Sequence, residues 1–308
     1  MSAAVTSTTP LAAPSGTSYV ERQINLVIKL GLGSFGQSGF NTVTLTGLRI
    51  QATMKRMGFP GFSDATIRVY GLTTDLMNQI STLGKPRPMD RLNTLQLIAG
   101  DATTGLTQIF QGVIQEAWQE FGGAPDTFMT ISCLSSTDVA MAPVAPTTFN
   151  GSADVATLIS SLAGRANPPR GFVNNGVTTK IAYPYHGGTI LQQAQEIAAA
   201  SRIEFFDDGA TFWIWPRLGV RVAANPLISP ASGLVGYPSY TATGLKFRCL
   251  FNPSIQFAGY VTIAGSSVGG ANGVWHVRGL VYELSSQMPN GPWFCDVDCD
   301  QFPGAPGS

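Results

Sequence analysis

Three aspartates near the C-terminus, Asp296, Asp298 and Asp300, alternate with Cys295, Val297 and Cys299. Successive side chains on a β-strand point to opposite faces, so the carboxylates share one face and the thiols the other. Three carboxylates suggest a metal ion. On a regular strand, however, such side chains lie roughly 6.6 Å apart at the backbone. A calcium loop would also need a glycine after its third acid, and Gln301 follows Asp300 instead. The plain reading is a solvated strand face. The sharper one is a face lining a channel, where acidic walls would repel a passing polyanion rather than retain it.

The other reactive side chains give no stronger signal. The cysteines are Cys133, Cys249, Cys295 and Cys299, with no Cys-x2-Cys pair among them. Cys295 and Cys299 stand roughly 13 Å apart along a strand, too far for a mutual disulfide. They read as buried free thiols. The two histidines, His186 and His276, sit in no Gly-x-Ser-x-Gly or His-Glu-x-x-His pattern. Gly31-Leu32-Gly33-Ser34-Phe35-Gly36 has dinucleotide-fingerprint spacing and follows a strand. That fingerprint needs a helix opening at its third glycine, and here a second strand follows, so the stretch reads as a hairpin loop. Trp213 and Trp215 share one strand face. Paired tryptophans can stack on sugars or bases, but core or interface packing is the commoner use. No residue is assigned to catalysis, a cofactor or a metal, and the chain is expected not to be an enzyme.

Composition narrows the class further. Only 12% of the 308 residues are charged and the net charge is zero. Typical domains carry about 25%. A nucleic-acid reader would show a basic excess, which is missing. Low charge on an apolar-rich chain suggests that much of its surface is covered by partners. There is no apolar run of membrane-spanning length, so no transmembrane helix is expected. Residues 1–18 are rich in Ala, Ser, Thr and Pro without a basic start, and read as a flexible tail rather than a signal peptide.

The remaining pattern is mostly β. Alternation predicts strands over 22–30, 42–52, 65–70, 94–99, 106–118 and 127–134, with a helix over 74–83. After a Pro-rich linker at 141–150, apolar spacing predicts helices over 154–166 and 189–201. A hairpin over 202–206 and 211–215 then turns at Asp208-Gly209. Residues 216–238 read as a loose connector. Strands follow at 244–252, 255–263, 274–284 and 293–297.

The last of these stretches carries a resemblance. Asn252-Pro253, Phe257-Ala258-Gly259, Gly273-Val274-Trp275-His276-Val277-Arg278-Gly279-Leu280 and Trp293 follow one another as in the second barrel of the central baseplate hub proteins of bacteriophage tails. Val69-Tyr70-Gly71-Leu72 and Ile109-Phe110-Gln111-Gly112-Val113-Ile114 resemble phrases of the first barrel of the same family.

The resemblance implies a mainly β chain with two tube-like β-barrel domains of phage-hub type flanking a small α+β module. The expected division is a tail at 1–18, a first barrel at 19–142, the module at 143–220, a second barrel at 221–303 and a tail at 304–308. It further implies a homotrimeric structural virion protein of the tail baseplate, assembled in the host cytoplasm. Its partners would be the tail tube protein, the central spike, the C-terminus of the tape-measure protein and other baseplate proteins. DNA would pass its channel without specific binding, and no membrane would be entered. Within that expectation, alternation nominates Phe247, Phe251, Phe257, Trp275, Trp213 and Trp215 as interface residues and Asp296, Asp298 and Asp300 as lumen-facing ones. Two other classes stand beside it: another tail-ring or adaptor protein of the same fold, and a tail-tip protein that binds or hydrolyses cell wall.

Overall fold

A computed structural model describes residues 20–36, 39–58, 61–84, 91–103 and 105–301. The expected tails, 1–18 and 304–308, lie outside the described residues. The chain starts with β1 (Arg22–Lys29), in which Ile24, Leu26 and Ile28 point inward while their neighbours are half-buried or exposed. A hairpin leads to β2 (Thr42–Leu45), then β3 (Ile50–Met57) and β4 (Asp64–Tyr70). The single strand expected over 42–52 is therefore two, because Gly47 takes a left-handed φ of +68° between them. Such a conformation costs glycine little and other residues much. Helix α1 (Thr74–Ile80) is capped by the Thr73 hydroxyl, which accepts from the Leu76 N–H. Strands β5 (Thr94–Asp101), β6 (Gly105–Glu120) and β7 (Phe128–Leu134) complete this half.

Between the two halves lies a smaller unit. It holds α2 (Thr137–Met141), β8 (Thr147–Thr148), β9 (Ser152–Asp154), α3 (Val155–Arg165), β10 (Gly171–Asn174), β11 (Lys180–Ala182), β12 (Tyr185–His186), α4 (Ile190–Ser201), β13 (Ile203–Asp207) and β14 (Thr211–Pro216). Asp154 and Thr189 cap α3 and α4 through their side-chain oxygens, at the positions where the apolar period begins. The helices bury Leu158, Ile159, Leu162, Ala194 and Ile197 against Phe212 and Ile214 of the β13–β14 hairpin. Strand β10 adds in parallel to β14. Four residues are too short a run for alternation to announce it.

The second half contains β15 (Leu227–Ile228), β16 (Leu234–Tyr240), β17 (Gly244–Leu250), β18 (Tyr260–Ile263), β19 (Gly273–Ser286) and β20 (Trp293–Asp300). The stretch 216–238 is thus not merely a loose connector. It supplies β15, the start of β16 and, between them, a turn in which Ser229 and Ser232 cap one another. The expected strand over 255–263 shrinks to its last four residues. Backbone turns from Ile255 to Asn252 and from Gly259 to Gln256 occupy the rest.

The halves do not form two separate closed barrels. Strands β3 and β19 pair antiparallel over eight residues, from Ile50 opposite Ser286 to Met57 opposite Gly279. One 13-stranded sheet results, with the order β16-β17-β20-β19-β3-β4-β7-β6-β5-β1-β2, and β18 and β15 branching from β19. Among the described strands no pairing closes this path. The first half nevertheless curls back on the second. Arg22, at the start of β1, donates to the Gly291 carbonyl at 3.0 Å in the turn between β19 and β20, and its guanidinium lies 5.7 Å from the Trp293 ring centre. That return is made by side chains, not by a backbone ladder. A single buried cluster accordingly contains Leu26, Ile67 and Leu97 from the first half and Leu245, Val277 and Val297 from the second.

Candidate assembly surfaces and the junction at Arg221

The aspartate face lies on β20, between β17 and β19. Alternation holds: Cys295, Val297 and Cys299 are buried, while the three carboxylates lie on the other side, half-buried. The face is not the bare acidic wall expected. Register places Asp296 opposite Arg248 and Asp298 opposite Lys246. Arg248 grips Asp296 through Nε at 2.7 Å and Nη2 at 2.5 Å, and also donates to Glu283 at 3.1 Å. Asp298 has Lys246 at 3.4 Å and Arg278 at 3.3 Å. Asp300 meets His276 Nδ1 at 2.8 Å. The basic residues come from the outward positions of the flanking strands, so the face is a charge-matched ladder. The sequence carried this signal in Lys246 and Arg248, but only strand order shows which acids they meet.

The nominated aromatics divide into two groups. Phe247 and Trp275 are 4% and 5% exposed in the chain's own core, and the Trp275 indole N–H donates to the Ala271 carbonyl at 2.9 Å. Both belong to the buried cluster that residues of the first half share. Phe251 is half-buried and edge-on to Tyr282 and Trp293, with ring centres 5.5 and 5.2 Å away.

Phe257, Trp213 and Trp215 meet elsewhere, where the two halves and the intervening unit touch. The Phe257 ring lies against Gly58, just beyond β3; a Cβ at Gly58 would come within 2.6 Å of it. On its other side the ring centre is 4.9 Å from that of Phe206 on β13. Trp215 is buried beside Phe206 and Ala258. Trp213 is half-buried, and its indole donates to Asp208 at 2.8 Å. The centre of this junction is Arg221, which was not singled out in the sequence. It is 1% exposed, with its guanidinium 4.8 Å from the Trp213 ring centre and 5.2 Å from that of Phe206. Nε donates to the Phe257 carbonyl at 2.9 Å and Nη2 to Gln256 at 3.0 Å. Burial lowers its pKa to about 10, Arg56 pushing the same way and Asp208 opposing. The Arg221 cation covers one face of the Trp213 ring. The Asp208–Gly209 turn also packs on β6. A Cβ at Gly209 would stand 2.1 Å from the Gln111 carbonyl, and φ there is +92°.

The remaining candidates are local. Gly31 to Gly36 lie in the β1–β2 hairpin loop, where the Leu30 N–H donates to the Asn41 carbonyl and no helix opens among the described residues. Leu32 and Phe40 are exposed there. His186 pairs with Glu196 at 3.1 Å on the surface of the intervening unit. All four cysteines are buried free thiols, and burial pushes the thiols of Cys133, Cys295 and Cys299 well up. Among the described residues no group of three or more His, Cys, Asp or Glu could hold a metal ion. No described helix is long and apolar enough to cross a membrane.

A curled antiparallel sheet interrupted by a small α/β unit is a fold shared with solved phage tail proteins. The fold is similar to a tail protein from Neisseria meningitidis MC58, with a TM-score of 0.57 and 9% identity over 90% of this chain and 96% of that one. It is also similar to the 43 kDa tail protein of prophage MuSo2 from Shewanella oneidensis, with a TM-score of 0.53 and 8% identity over 89% and 96%. A third likeness is to the E. coli c3393 protein, a type VI secretion component described as similar to the T4 tail proteins gp27 and gp5. There the TM-score is 0.52, with 9% identity over 90% and 77%. No curated protein matches the sequence. The family described as baseplate hub gp41 matches residues 24–299, and the chain belongs to it.

Proposed function

We propose that this chain is the structural hub of the baseplate. Three copies form a ring that joins a sixfold tail tube to a threefold central spike and frames a path for DNA. The observation that carries this reading is the β3–β19 ladder, which fuses two β units into one sheet within one chain. Three such chains present six units to a sixfold partner and three equivalent faces to a threefold one. The role is mechanical and has no chemical step. The ladder on β17, β20 and β19 suits a channel wall, because matched charges neither hold a polyanion nor strongly repel it. The exposed Leu32 and Phe40 of the β1–β2 loop suit contact with the tube or a neighbouring copy. Tube, spike, tape-measure and other baseplate proteins are the partners proposed.

Native mass spectrometry tests the reading, on the protein alone and co-expressed with its genomic neighbours. A trimer in either sample supports the hub. A stable hexamer favours a tail-ring or adaptor protein of the same fold. A monomer in both samples removes the ring.

A further inference from the structure

A cleft of about 210 Å³ opens between the first half of the sheet and the intervening unit. Met57, Phe62 and Phe206 give it apolar walls, and Ser63 and Asp207 line it too. Asp207 belongs to a buried cluster whose charges do not balance. Arg170 Nη2 contacts both oxygens of Asp138 at 2.7 Å. Arg170 Nε stands 3.6 Å from Asp207 Oδ1, beyond hydrogen-bond reach. Two carboxylates thus share one guanidinium. Asp207 Oδ1 accepts from the Gly209 N–H at 2.9 Å, but no hydrogen bond reaches Oδ2. The Ser63 hydroxyl is buried and equally unpartnered. Asp207 and Ser63 are only 6% and 5% exposed. A buried carboxylate with only a shared, distant counter-ion is costly to ionise, and a cation from outside lowers that cost.

We propose that this cleft receives the side-chain ammonium of a lysine from a protein partner, with Asp207 Oδ2 and Ser63 Oγ as its acceptors. One free carboxylate oxygen suits a compact ammonium. A guanidinium makes its strong bidentate contact with two oxygens, and Oδ1 is already engaged. Met57 and Phe62 remain 45% and 38% exposed, so their apolar surface is open to a methylene stem and to the chain that carries it. Burial raises the Asp207 carboxyl to about 6, opposed by Arg170, the Gly209 N–H and the Ser136 hydroxyl and reinforced by neighbouring Asp208. Asp207 is the only titratable group among the described residues of the cleft wall; α4 contributes the uncharged Gln192 and Gln195. Occupancy therefore favours pH above 6 and competes with protonation of the carboxyl.

The test is a titration of the full chain with the blocked peptide Ala-Lys-Ala, followed by NMR of the aspartate carboxyl carbons. Blocked Ala-norleucine-Ala and butylammonium serve as controls. At pH 7.5 the lysine peptide is expected to bind saturably and lower the Asp207 pKa. It should bind at least tenfold more tightly than either control. Affinity should fall about tenfold per pH unit well below 6, since a protonated carboxyl cannot accept the ion. Asp207→Asn and Ser63→Ala should both weaken binding; the second keeps the test valid if the first does not fold. An unmoved Asp207 pKa, or norleucine binding as well as lysine, overturns the proposal. Butylammonium binding as tightly as the peptide would reassign the cleft to free amines and overturn the protein-partner assignment.

Discussion

The large sheet and the small unit inserted into it are held together by different physics. The two halves of the sheet share a backbone ladder and one continuous buried cluster, although they lie at opposite ends of the chain. The inserted unit has its own core of α3, α4, β10, β13 and β14, and meets the sheet through side chains: Arg221, Phe206, Phe257 and the Asp208–Gly209 turn. A ladder makes two halves behave as one body. A side-chain joint leaves the inserted unit able to fail by itself.

Phe212→Ala is the strongest way to separate the two regions. Phe212 is fully buried and edge-on to Phe205 at 5.1 Å. A loss of about 3–5 kcal/mol is expected. Hydrogen exchange should rise in α3 and α4 while β5 and β17 stay protected; loss of protection in all four would break the comparison. Leu284→Ala acts on the ladder side. Leu284 is 1% exposed on β19, opposite Ala52. A cost of about 2–5 kcal/mol is expected. Here β5 and β17 should lose protection together, and independent loss in one half would show that the ladder does not couple them.

The joint itself is addressed by Arg221→Leu. It strips the Phe257 carbonyl and Gln256 of their donors, at about 1–3 kcal/mol. Trp213 emission should shift while the melting of each core changes little. Titration sharpens the same joint. The Asp207 carboxyl is raised in the folded state, so the fold holds its proton more tightly than the unfolded chain does. Its stabilising contribution is full below the unfolded pKa and is lost as pH rises through about 6. Relative to Asp207→Asn, the wild type should lose up to about 1.4 kcal/mol per pH unit between roughly pH 4 and 6, then level off. Denaturant melts across that range would read the slope; a flat difference would count against the buried-charge account. The smallest effect is expected at the half-buried charge ladder. Asp298→Asn should cost no more than about 1 kcal/mol, less in high salt. A larger, salt-insensitive loss would mean the face is covered in the assembly studied.

Much of the fold was legible because alternation and capping are local. Ile24, Leu26 and Ile28 mark β1, and Asp154 and Thr189 mark the starts of α3 and α4. The failures came where a turn outweighed an apolar run, as at Gly47 and across residues 252–259. The site was less legible. Phe247 and Trp275 were nominated as barrel-to-barrel contacts, and both lie in the buried cluster that the two halves share. Arg221 lies in a stretch that reads as a connector, and nothing around it announces a buried cation.

By itself the sequence determined which faces of the strands are apolar and where the helices of the inserted unit begin. Those properties depend on residues a few positions apart. Tertiary structure decided that β3 meets β19, that the aspartates of β20 find Lys246, Arg248, Arg278 and His276, and that Arg170 leaves Asp207 without a full partner. Each of these depends on strand order and register between distant segments. A one-residue slip in register would turn every side chain to the other face, and no local pattern encodes it.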